Sequence, residues 1–116
     1  MKSDRARHAP ELMRGSTDCL LLSLIRERPC YGYQLIREMR ERSGGYFRFK
    51  EGTLYPALHR LEADGLIEGS WEQLSSGQER RYYRISTKGE MALRDKIAAW
   101  RDFANAVDLV FRPAGA

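Results

Sequence analysis

Apolar residues along the chain switch between helical spacing and strict alternation, and the switches delimit the expected elements. Leu20, Leu21, Leu22, Leu24 and Ile25 face almost every direction of a helix expected over about 12–28. A helix that is apolar all round belongs at the centre of a core, and Pro29 ends it. A second helix is expected over about 31–43, with Leu35, Ile36 and Met39 as its buried stripe and Gly44 and Gly45 as its stop. The stretch YFRFK, residues 46–50, alternates and reads as one short strand. A third helix follows, with Thr53 as N-cap, Pro56 at the third helical position and Gly65 closing it. A proline so placed lacks an amide that would be unpaired in any case.

Alternation returns after Gly65. Ile67 and Trp71 share one side of a strand, and Glu68, Ser70 and Glu72 share the other. LSSGQE is turn chemistry, and Tyr83 and Ile85 alternate with Tyr82 and Arg84 on the way back. The last element is a long helix from Thr87 to about Phe111, its start marked by the capping box Thr87 and Glu90. The fold class is therefore mostly α with a small β-hairpin, a winged helix-turn-helix with an added long C-terminal helix. No internal repeat and no low-complexity segment is present.

The third helix carries the functional signal. Leu54, Ala57, Leu58 and Leu61 group on one side at 100° per residue. The opposite side holds Gly52, Pro56, His59 and Ala63, flanked by Tyr55 and Arg60. A helix bathed in water would show Glu and Lys there. A narrow, nearly neutral ridge with hydrogen-bonding tips at its rim suits a DNA groove. The amides at its N-terminal end suit a phosphate, and Arg48 and Lys50 lie just before that end. Arg48, Lys50, Thr53, Tyr55, His59 and Arg60 are thus candidate DNA contacts. Gln78, Arg80 and Arg81, at or near the hairpin tip, would reach the adjoining backbone.

The long helix carries a second signal. Leu93, Ile97, Trp100, Ala104, Val107 and Phe111 follow steps of four and three, a heptad seam that Phe103 and Val110 widen. At 1.5 Å per residue the helix runs about 36 Å, longer than the small body beside it. Its apolar side needs a cover, most simply a second copy across a two-fold axis. Such a homodimer would present two reading helices to a palindromic operator in double-stranded DNA. Trp100, mid-seam, reads as an interface aromatic, or as a stacking plate for a small aromatic effector.

Composition narrows the partner. The chain has 116 residues, 42% hydrophobic and 31% charged, with a formal net charge of +4, which suits one small domain and an anionic partner. Cys19 and Cys30 give no disulfide framework, so a reducing cytoplasm is expected. No signal peptide is apparent, and CLLLSLI is far too short to span a bilayer, so no membrane partner is expected. His8 and His59 sit in no catalytic constellation, so no enzyme is expected. His8, Cys19, Cys30 and His59 lack the spacing of a zinc site, so no metal or cofactor is expected.

GSTDCLLLSLI, CYGYQLIREM, GTLYPALHRLEADGLIEGSW, RRYYRISTKGE and WRDFANAV together resemble the PadR family of bacterial transcriptional regulators. The likeness spans about 12–111, and GTLYPALHRLE followed by RRYYRISTKG is its most specific part. It points to the short subfamily with a single dimerising last helix. The resemblance implies a homodimeric, DNA-binding winged-helix repressor, cytoplasmic and associated with the bacterial nucleoid. Tyr55 would be the tyrosine of the TLYP motif in the reading helix, and Arg80 and Arg81 the wing arginines. Trp100 would match the pore tryptophan of the drug-responsive members, while other members sense phenolic acids. The expected organisation is a flexible basic tail over 1–11, a DNA-binding domain over 12–86 and a dimerisation helix over 87–112. The alternative is a winged-helix protein-interaction module that does not bind DNA.

Overall fold

The structure, a computed structural model, describes residues 16–115. Among these the elements run α1 (Thr17–Glu27), β1 (Cys30–Tyr31), α2 (Gly32–Arg42), α3 (Glu51–Ala63), β2 (Ile67–Gln73), β3 (Glu79–Ile85) and α4 (Thr87–Phe111). The expected basic tail, and the helical start at residues 12–15, lie outside the described residues. The strands form one antiparallel sheet in the order β1-β3-β2. Ile67 faces Ile85, Gly69 faces Tyr83 and Trp71 faces Arg81 across the hairpin, and Cys30 faces Tyr83 on the other side of β3.

The core forms where the apolar stripes of the helices meet the root of the hairpin. Leu21, Leu22, Ile25, Leu35, Leu54, Leu58, Leu61, Ile67, Tyr83 and Leu93 are each at most 2% exposed. Burying a leucine fully contributes roughly 1.5–3 kcal/mol. The all-round apolar run of α1 is thus explained, since α2, α3, β3 and α4 all pack against it.

Three boundaries differ from the sequence reading. Residues 46–50 form no strand: Phe49 is buried and Arg48 and Lys50 are exposed, so the alternation is real, but the segment is an extended connector. The third strand is instead Cys30–Tyr31, two residues too short for any periodicity to reveal. The third helix begins at Glu51 with Lys50 as N-cap, so Thr53 lies inside it. Pro56 is therefore an interior proline, and the Gly52 carbonyl four residues back has no amide proton to receive from it. Finally, Ser86 rather than Thr87 caps α4, its hydroxyl accepting from the Gly89 N–H at 3.0 Å.

The end of α3 and the start of α4 are tied together. Gly65, at φ +76°, ends α3 with the Leu66 N–H donating to the Leu61 carbonyl and its own N–H to that of Glu62. The Ser86 hydroxyl then donates to the Gly65 carbonyl at 2.6 Å, the Lys88 ammonium to the Asp64 carbonyl at 2.9 Å, and the Ser86 N–H to the Leu66 carbonyl at 3.1 Å. Gly89 makes this closeness possible. A Cβ there would lie 2.0 Å from the Leu66 carbonyl oxygen and 2.8 Å from Ile85. Both obstacles sit in packed surroundings. Gly89→Ala is accordingly expected to destabilise the fold by about 1–3 kcal/mol, despite the higher helix propensity of alanine. A urea melt that leaves stability unchanged or raised would contradict this packing.

A candidate nucleic-acid interface on the third helix and the hairpin

The buried and exposed sides of α3 divide as its periodicity predicts. Leu54, Ala57, Leu58 and Leu61 are at most 3% exposed, while Gly52, Thr53, Pro56, His59, Arg60 and Ala63 face solvent. Among the described residues none covers this ridge. Arg48 and Lys50 lie exposed at its N-terminal approach, with the Arg48 guanidinium donating to the Gly45 carbonyl at 3.0 Å.

Two rim residues are held rather than free. Arg60 donates to Asp18 on α1 at 2.7 Å, and that hydrogen bond raises the pKa of the guanidinium. The pair is exposed and contributes little stability, but it pulls the side chain back towards α1. Tyr55 is 38% exposed, and its hydroxyl end lies over Gly32 at the first position of α2. A Cβ at Gly32 would come within 2.3 Å of that oxygen and 2.8 Å of the ring carbon bearing it. Gly32 thus makes the slot that orients the tyrosine.

On the hairpin, Gln78 lies in the exposed turn, as expected. Arg80 and Arg81 do not. Both belong to β3, opposite Glu72 and Trp71, and being adjacent in a strand they point to opposite faces. The Arg80 guanidinium stacks over the Tyr31 ring of β1, 4.2 Å from its centroid. Arg81 turns inward and donates to Glu62 of α3 at 2.7 Å. Its position was legible: counted outward from buried Tyr83, residue 81 shares that face. Trp71, on the same side as buried Ile67, is nevertheless 63% exposed, because the hairpin outruns the body beneath it. Sequence reasoning missed Glu62, Gly69, Gly32, Asp18 and Tyr31, the residues that hold the candidate contacts in place. No spacing rule marks residues defined by contacts across the fold.

The expected seam on α4 divides in two. Leu93 is fully buried and Ile97 packs against the same core, so these two are engaged by their own chain. Leu93 is therefore removed from the set of surfaces open to a partner. Trp100, Phe103, Leu109, Val110 and Phe111 are 54–82% exposed, with Ala104 and Val107 half-buried among them. Trp100 and Phe103 rest on each other at 5.9 Å between ring centroids. No helix among the described residues is long and apolar enough to cross a membrane.

This architecture is shared with known proteins. Residues 21–95 match the model of the transcriptional regulator PadR-like family. A transcriptional regulator of Mycobacterium tuberculosis is 36% identical over 97 residues, which is 84% of this chain and 87% of that protein. A PadR family regulator structure from Eggerthella lenta superposes with a TM-score of 0.82 at 32% identity, covering 96% of this chain and 95% of that one. A transcriptional regulator structure from Clostridium thermocellum gives 0.81 at 29% identity, covering 88% and 99%.

The slot at Gly32 sets an expectation that needs no DNA. Gly32→Ala is expected to cost about 1–3 kcal/mol in the wild-type background and clearly less in a Tyr55→Ala background, because the clash is with that ring. Equal costs in both backgrounds, read by urea melts, would remove Tyr55 as the occupant.

Proposed function

The chain belongs to the PadR-like family of transcriptional regulators, which are not enzymes, and on that premise we propose that it is a homodimeric, DNA-binding repressor. The observation that carries the reading is the bare ridge of α3. Gly52, Pro56 and Ala63 keep its line of approach slim, and Thr53, Tyr55 and His59 offer hydrogen-bonding tips beside it. In this reading α3 enters the major groove. Arg48 and Lys50 meet phosphate at its N-terminal approach. Gln78 and Arg80 reach the neighbouring backbone from the wing. Arg60 joins them by exchanging Asp18 for the DNA.

The distal half of α4 supports the dimer. A cluster of Trp100, Phe103, Val110 and Phe111 exposed along one side of the helix is more apolar surface than a lone small protein normally leaves wet. A second copy would cover it and place two ridges on one duplex with a palindromic operator. Residues 12–86 then form the reading domain and 87–112 the pairing helix. Trp100, at the inner end of the exposed cluster, is the residue on which a flat aromatic or phenolic effector would stack to release the DNA. The protein would work in the bacterial cytoplasm, on the nucleoid.

Binding to duplex DNA should weaken steeply as salt rises, because phosphate neutralisation releases counterions. Arg80→Ala is expected to weaken binding on selected and random duplexes alike and to lower the slope of log K against log salt by about 0.9. Failure of the wild-type chain to bind any duplex at low salt would favour a module that docks protein instead. Val107→Glu, which puts a charge into the exposed apolar face, should sediment as a monomer; a dimer mass would locate the interface elsewhere.

A further inference from the structure

We propose that Arg81 is a positioning residue, which with Glu62 and Gly69 fixes the angle between the wing and the reading helix and does not itself bind phosphate. The inference rests on the DNA-binding reading above. It starts from one oxygen. Glu62 Oε2, on α3, accepts from Arg81 Nη2 at 2.7 Å and from the Gly69 N–H at 3.2 Å. Arg81 lies on β3 and Gly69 on the edge strand β2, so one carboxylate holds both arms of the hairpin to the helix.

The surroundings are shaped for this pair. The Arg81 guanidinium carbon lies 5.5 Å from the Trp71 ring centroid and 5.9 Å from that of Tyr83. It occupies the space beside Gly69 where a side chain would otherwise begin: a Cβ there would come 2.7 Å from three of its atoms. Both partners are about 30% exposed, against 54% for Arg60 and Arg84 in their pairs. Burial also pushes the pKa of the neighbouring Tyr83 phenol up.

The chemistry separates Arg81 from Arg80. A guanidinium already neutralised by a carboxylate at 2.7 Å displaces no counterion from DNA unless it gives up that carboxylate. Giving it up would strand Glu62 against the phosphates and free both hairpin strands from α3. Arg80 faces the other way, stacks on Tyr31 and has no such obligation to α3. Two adjacent arginines thus divide the work, one setting the wing and one meeting the backbone.

The test uses the full chain, a duplex selected by the wild type from a random pool, and a random duplex. Affinities are measured across a salt series for the wild type, Glu62→Gln, Arg81→Gln, the double variant and Gly69→Ala. Removing a negative charge near DNA should by electrostatics alone strengthen binding. If Glu62 positions the wing, Glu62→Gln instead weakens binding to the selected duplex, about 3- to 30-fold. Arg81→Gln should do the same with its salt slope at the wild-type value, and the double variant should be no worse than the weaker single. Gly69→Ala removes no charge but displaces the guanidinium, and should show the same loss. The inference is overturned if Glu62→Gln binds as well as or better than wild type, or if Arg81→Gln lowers the slope by about 0.9. Should Arg81→Gln not fold, Glu62→Gln and Gly69→Ala decide the matter. No binding by the wild type would overturn the DNA-binding reading as well; binding with the variants behaving otherwise overturns the inference alone.

Discussion

Everything the molecule presents outward depends on how closely the start of α4 can approach the turn after α3. The Leu66 carbonyl oxygen occupies the space that a side chain at position 89 would need. Around that contact, Ser86, Lys88 and Gly65 close backbone-to-side-chain hydrogen bonds across the same joint. The joint is short and mostly backbone, so it transmits direction with little slack. The long helix therefore leaves the body at an angle set by the end of α3. If the free half of α4 pairs with a second copy, the spacing of the two ridges follows from that angle.

The hydrophobic pattern carried most of the fold. α1, α2, the hairpin and α4 are where the spacing of Leu, Ile and Tyr places them, because those stripes bury the most apolar surface. What escaped was decided at shorter range or across the fold. β1 is two residues whose pairing with Tyr82 and Tyr83 no local period can announce. The segment around Phe47 and Phe49 alternates like a strand but meets no strand to pair with. The start of α3 at Glu51, and the cap at Ser86, turned on hydrogen bonds of one residue's difference.

The candidate site was legible to a similar depth. The bare side of α3 could be read from its composition, because a surface without charge is visible in sequence. The partners that restrain Tyr55, Arg60 and Arg81 could not. Gly32, Asp18 and Glu62 lie on other elements or on the flank of the helix, and only folding brings them into contact. Basic residues counted as free charge from the sequence are in part spent on the protein itself. The formal net charge of +4 already counts the carboxylates in those pairs; what pairing decides is which of the basic side chains stay open at the surface.

Pro56 bears on hydration. With no amide proton arriving from position 56, the Gly52 carbonyl keeps lone pairs that the rest of the helix would have consumed. On an exposed ridge those lone pairs are open to solvent. Any surface that closes over the first turn of α3 must either bring a donor to that oxygen or leave a bridging water in place. A dry closure at that point is open only to a surface that supplies the donor itself.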